Sequence, residues 1–199
     1  IGSTDLGAFS DNTGSEFNFR IDADNQTVNM PNNILVYPNL RIEAVNGTND
    51  DDNRILQTSV PITINGRVLM DRSPRWRINH DVSVGGDLRI TWQENRTTVE
   101  LGDDRQVTLD VAGDLRLENG SGNDASRLLV KNDNLQGFEH TLRVGGDIII
   151  EANLEGTSAF DLYNGTGLNN NAILELYGAG NFSFTNSSSA NLTPALYRV

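Results

Sequence analysis

Apolar and polar residues alternate strictly through many short stretches of this chain, and one stretch recurs. The recurring phrase is apolar-x-apolar-x-Gly-Asp-apolar-x-apolar. It reads Val82-Ser-Val-Gly-Gly-Asp-Leu-Arg-Ile90, then Leu109-Asp-Val-Ala-Gly-Asp-Leu-Arg-Leu117, then Leu142-Arg-Val-Gly-Gly-Asp-Ile-Ile-Ile150. Looser copies begin at Ile34, Ile62 and Leu176. Anchored on the glycine slot (Pro38, Gly66, Gly86, Gly113, Gly146, Gly180), the copies are spaced by 28, 20, 27, 33 and 34 residues. Alternation with a period of two predicts strands, and a repeat of this length predicts a solenoid of stacked coils. A further alternating patch lies between copies, at Arg54–Gln57, Trp76–Ile78, Thr98–Leu101, Arg127–Val130 and Ala159–Tyr163. Each coil is therefore expected to hold three short strands, one of them after a bend at Gly-Asp.

The alternation also predicts which side chains face inward. Before the bend these are Ile34, Ile62, Val82, Leu109, Leu142 and Leu176, followed by Val36, Ile64, Val84, Val111 and Val144. After the bend they are Leu40, Val68, Leu88, Leu115, Ile148 and Phe182, then Ile42, Met70, Ile90, Leu117, Ile150 and Phe184. Gly178 is the one slip, standing where a valine is expected. Stacking places like residues about 4.8 Å apart, so the core is a set of aliphatic ladders. The expected fold is all-β: a single-stranded right-handed parallel β-helix of about six coils. Residues 1–15 form an irregular lead-in, and residues 16–199 form the helix, which opens at Glu16–Ile21. The variable loops leave after the second strand of the phrase, at Ala44–Asn53, Asn119–Ala125, Asn153–Ser158 and Asn164–Asn171. Insertions at a corner do not disturb a stack.

Composition narrows the function classes. The chain has 199 residues with a formal net charge of −12, and no apolar run reaches the length of a membrane helix. The acidity argues against nucleic acid, whose phosphates call for clustered basic residues. Lys131 is the only lysine beside fourteen arginines, and there is no cysteine, so disulfides and thiolate metal sites are excluded. The 25 asparagines, with Asp and Gly, crowd the segments between apolar patches, as tight turns require. Eight Asn-x-Ser/Thr sequons (Asn25, Asn46, Asn95, Asn119, Asn164, Asn181, Asn186, Asn191) hint at a secreted chain. The chain opens at Ile1 without an initiator Met or a signal-peptide pattern, and no cap helix is evident at either end. The expectation is a segment of a longer polypeptide, or one that self-associates through its β-helix ends.

Candidate chemistry is sparse. Asp87, Asp114 and Asp147 share one slot and are either a cation row or turn residues; turns are favoured, each carboxylate accepting N–H bonds in its own turn. The loop Asn49–Asn53 offers Asp50, Asp51 and Asp52 as calcium ligands. It lacks the EF-hand spacing, so a solvated loop is the first reading and calcium the only cofactor in question. Asp103-Asp104 reads as a turn. His80 and His140 read as surface or turn residues, since no nucleophile elbow accompanies them. Outward positions carry Arg41, Arg89 and Arg116, with Arg75, Arg77, Trp76 and Trp92 near in sequence. Such a face could hold an acidic polysaccharide by bidentate pairing and ring stacking. Alternation points Trp76 inward, however, and the arginines have outward acids as partners in Glu43, Glu100, Asp110 and Glu118.

The phrases Val36–Ile42 (Val-Tyr-Pro-Asn-Leu-Arg-Ile), Ile62–Val68 (Ile-Thr-Ile-Asn-Gly-Arg-Val) and Val82–Ile90 resemble the repeats of very large secreted surface proteins of Bacteroidota. The similarity covers roughly residues 30–185. It implies a parallel β-helix, export through the type IX system and display at the cell surface or release, as in adhesins and stalk components. Polysaccharide lyases and polygalacturonases share the architecture, but the polygalacturonase motifs are not in this sequence, and activity follows from a site rather than a fold. The reading is a non-enzymatic, extracellular structural or adhesive module. Its expected partners are glycans or other surface proteins. The alternative is a carbohydrate-active β-helix: a lyase or a glycan-binding module. A trimeric spike-like β-helix is the third possibility.

Overall fold

The structure is a computed structural model that describes residues 14–22, 25–44, 54–91, 96–102, 104–118, 126–131, 133–152 and 160–186. Its described residues form strands, turns and bends. The first coil holds β1 (Phe17–Ile21), β2 (Gln26–Asn29) and β3 (Val36–Tyr37); the second holds β4 (Leu40–Ala44), β5 (Arg54–Gln57) and β6 (Ile62–Ile64). The third holds β7 (Val68–Asp71), β8 (Arg75–Ile78) and β9 (Val82–Val84). The fourth holds β10 (Leu88–Ile90), β11 (Thr97–Leu101) and β12 (Thr108–Val111). The fifth holds β13 (Leu115–Leu117), β14 (Ser126–Val130) and β15 (Glu139–Val144). The sixth holds β16 (Ile148–Ala152), β17 (Phe160–Asp161) and β18 (Asn171–Leu176), and β19 (Phe182–Asn186) begins a seventh turn.

Every third strand pairs with its predecessor. Three sheets result, with seven, six and six strands in the orders β1-β4-β7-β10-β13-β16-β19, β17-β14-β11-β8-β5-β2 and β18-β15-β12-β9-β6-β3. All the pairings between these strands are parallel. This is the expected parallel β-helix. Its first sheet carries the predicted ladder in register, with Leu40 opposite Val68, then Leu88, Leu115, Ile148 and Phe182. The second sheet stacks Leu56, Trp76, Val99, Leu128 and Phe160, all buried. Trp76 is thus a core residue, as alternation predicts. Burying each such side chain contributes about 1.5–3 kcal/mol.

Two of the three looser copies depart from the predicted facing. In the first coil Tyr37, not Val36, lies opposite the inward Ile64. Tyr37 is fully buried, while Val36 is 38% exposed and Leu35 54%. The cause is corner length. Two residues (Pro38, Asn39) join β3 to β4, whereas three (Asn65 to Arg67) join β6 to β7. A one-residue difference moves a strand's side chains to the opposite face. At the other end Leu174 and Leu176 lie opposite Leu142 and Val144. Leu174 thus takes the slot predicted for Leu176, and Leu176 the slot assigned to Gly178. Gly178 belongs instead to a five-residue corner, Tyr177 to Asn181, between β18 and β19. Leu176 is 41% exposed despite its inward register.

Tyr37 packs edge-on against Phe17 and Phe19, at ring-centroid distances of 5.3 and 6.1 Å. Its hydroxyl finds no hydrogen-bond partner among the described residues, and burial pushes its pKa from 10.0 up to about 12. The fold keeps its full stability below pH 10, where the phenol is neutral, and loses part of it as pH rises from 10 toward 12, because burial penalises the phenolate. Tyr37→Phe should therefore leave the urea midpoint at neutral pH unchanged or higher, since it deletes an unsatisfied buried hydroxyl. It should also flatten the loss of stability between pH 10 and pH 12, measured as urea midpoint against pH.

Candidate functional site

The Gly-Asp corner, between the third sheet and the next strand of the first, is the most regular polar feature. Its backbones stack directly: the N–H of Gly86 donates to the carbonyl of Gly66 at 2.9 Å, that of Gly113 to Gly86 at 3.1 Å and that of Gly146 to Gly113 at 2.9 Å. The aspartates add a second rail. The N–H of Asp114 donates to Asp87 Oδ1 (2.9 Å), that of Asp147 to Asp114 Oδ1 (2.8 Å), and that of Asn181 to Asp147 Oδ1 (2.7 Å). Asn39 Oδ1 does the same for the N–H of Arg67, at 2.9 Å. Each carboxylate thus serves the next coil, which corrects the expectation of a bond within its own turn. Glycine is needed beside it: a Cβ on Gly113 or Gly146 would collide with the preceding aspartate's Oδ1 and the backbone beneath. The Gly and Asp of the phrase are one device split between neighbouring coils.

Arg67 breaks this rail, because a guanidinium offers no acceptor in the aspartate slot. Beside the break, on the outer face of the first sheet, lies a concavity of about 340 Å³. Three guanidiniums (Arg67, Arg89, Arg116) and three carboxylates (Asp87, Asp114, Glu118) line it over a floor of Val68 and Leu69. Arg89 and Arg116 are register partners on adjacent rungs. Glu118 offsets their repulsion by accepting two bonds from Arg89, Nε at 2.6 Å and Nη2 at 2.8 Å. That bond raises the Arg89 pKa still further above its ordinary value. Arg116 Nη2 lies 3.7 Å from Asp114 Oδ2, and Arg67 Nη2 lies 3.9 Å from Glu16, both beyond hydrogen-bond reach.

Two of the three arginines predicted for a binding face therefore share this concavity. The third, Arg41, does not. Leu69 stands between it and Arg89 in the register, and its Nη2 donates to Asp71 at 2.7 Å. Arg75 and Arg77, close in sequence, lie on the second sheet, where both converge on the buried Glu100 at 3.4 and 2.9 Å. On the third sheet Arg143 bridges Asp110 (2.8 Å) and Glu175 (3.0 Å), with the Tyr177 ring 4.8 Å beneath it. Glu43, Glu100, Asp110 and Glu118 all hold arginines, as the outward pattern predicts. Arg67 was the residue missed by sequence reasoning, and the signal was there: a cation in a slot otherwise held by Asp or Asn.

The histidines divide. His80 sits at the turn between the second and third sheets, its Nδ1 3.3 Å from the carbonyl of Thr58. His140 is not a surface or turn residue: it lies in β15, fully buried, and its Nδ1 accepts the N–H of Val107 at 3.2 Å. That bond requires the neutral ring. The calcium candidates Asp50, Asp51 and Asp52, with Trp92, Asp103 and most of the lead-in, lie outside the described residues. Among the described residues no cluster of three or more His, Asp or Glu side chains could hold a metal ion, and no helix is long and apolar enough to cross a membrane. No protein-family model, curated protein or solved structure matches the chain.

The corner rail can be tested directly. Asp114→Ala removes the acceptor of the Asp147 N–H and should lower stability by about 1–2 kcal/mol, less than a fully buried charged bond because the corner is partly exposed. Asp114→Asn keeps an acceptor oxygen and should recover most of that loss in the same urea titration. Equal losses in both variants would show that the charge, rather than the bond to the next coil, is what matters.

Proposed function

We propose that this chain is a non-enzymatic structural or adhesive module of an extracellular or cell-surface protein, and that its coils act as a rigid spacer. One observation carries the reading: three sheets and a polar corner rail run in register through successive coils, so bending the stack means breaking several ladders at once. Its outward acids support this reading, because Glu43, Glu100, Asp110 and Glu118 are engaged with arginines of neighbouring coils. The resemblance to large surface proteins of Bacteroidota adds export through the type IX system and display on the cell surface or release. Glycans or other surface proteins are the partners this reading names, and calcium at Asp50, Asp51 and Asp52 is its one cofactor to test.

A second reading, a carbohydrate-active β-helix acting as a glycan-binding module or a lyase, is favoured by the concavity around Arg89 and Arg116. The two readings separate in experiment. Antibodies raised against the full chain should label intact cells that make it. Incubating the chain with uronate polysaccharides should yield no unsaturated ends absorbing in the ultraviolet. Labelling confined to permeabilised cells would sink the surface assignment, and unsaturated product would make the protein a lyase.

A further inference from the structure

We infer that the concavity on the first sheet binds a neutral, hydroxyl-rich linear glycan lying along the solenoid axis, rather than a polyuronate. The inference rests on the glycan-binding reading of this face and names its ligand class. Three observations carry it. First, the concavity crosses three successive coils, from Arg67 through Asp87 and Arg89 to Asp114 and Arg116, so like polar groups recur along the stack. A linear polymer fits that direction, with Leu69 beneath for the C–H face of a sugar ring.

Second, donors and acceptors are in place and unspent. The guanidiniums of Arg67 and Arg116 make no side-chain hydrogen bond among the described residues, their nearest carboxylates being 3.9 and 3.7 Å away. Asp87 and Asp114 each commit Oδ1 to the next coil, leaving Oδ2 without a hydrogen bond among the described residues. A sugar hydroxyl both donates and accepts, so a chain of hydroxyls can satisfy the Oδ2 atoms and the guanidiniums together. Third, the charge is wrong for a polyanion. The three guanidiniums are matched by three carboxylates, Arg89 is already held by Glu118, and the whole chain carries a formal net charge of −12. A run of uronates would set carboxylate against Asp87 and Asp114 at close range, which costs more than two exposed guanidiniums return.

Affinity electrophoresis of the full chain tests this, in native gels cast with a linear β-glucan, a galactomannan or polygalacturonate. The neutral polymers should retard the chain, and polygalacturonate should not. The double variant Arg67→Ala/Arg116→Ala should weaken retardation by about tenfold or more, for the loss of two charge-assisted contacts. Asp87→Asn keeps the corner acceptor and should also weaken it, while Arg143→Ala on the third sheet should behave as wild type. Urea midpoints near wild type for the double variant and Asp87→Asn establish that the fold is intact. Retardation by polygalacturonate alone would overturn the ligand class and leave the glycan-binding reading standing. No retardation in any gel would overturn both. Wild-type retardation of the double variant would place the binding elsewhere and overturn the site.

Discussion

Parallel pairing between successive coils is the constraint on which everything else in this molecule depends. A parallel strand must find its partner a full coil away, so the cross-section of one coil dictates that of the next. Once register is imposed, an apolar residue at one rung calls for an apolar residue at the rungs above and below. The ladders through Leu88 and Trp76 are the result. The same stacking would bring like polar groups together, and the chain handles this in two ways. At the Gly-Asp corner each carboxylate is turned onto a backbone N–H of the next coil. On the outer faces, arginines on one coil meet acids on their own or adjacent coils, as Arg89 meets Glu118 and Arg143 meets Asp110.

Much of this was legible in the residues. Alternation marked the strands and the inward ladders of the four central copies. The outward acids named the partners of the arginines. What escaped was the phase through the corners. A period of two carries no memory of how many residues the preceding turn consumed, so Pro38 could be aligned with Gly66 while Tyr37, not Val36, turned inward. The same ambiguity misassigned Leu176 and Gly178. His140 was missed for a different reason. Its isolation from other catalytic residue types spoke for an exposed position, although alternation with Leu142 and Val144 placed it inward.

The candidate site was half legible. Arg89 and Arg116 share an outward column, which alternation shows, and the column passes through Leu69 to Arg41, which alternation also shows. That Arg41 would be drawn off by Asp71 depends on geometry across coils. So does the entry of Arg67 into the concavity, since it follows from an interruption in the aspartate rail. Where the structural repeat lapses, side chains are released from the work of holding coils together.

The aspartate rail also has a direction. In every case described, the side-chain oxygen belongs to the earlier coil and the N–H to the later one, from Asn39 and Arg67 to Asp147 and Asn181. The side-chain rail is therefore directional at this corner, its carboxylates facing the later coil, while the backbone bonds beside it run the other way, as when the N–H of Leu88 donates to the carbonyl of Asp114. Two such stacks meeting through a two-fold axis would set acceptor against acceptor there. A head-to-tail arrangement continues the rail, and its symmetry is translational and open rather than closed. Any unit that extends this corner, whether another coil of the same polypeptide or a different molecule, must present N–H groups to the carboxylates of the coil before it.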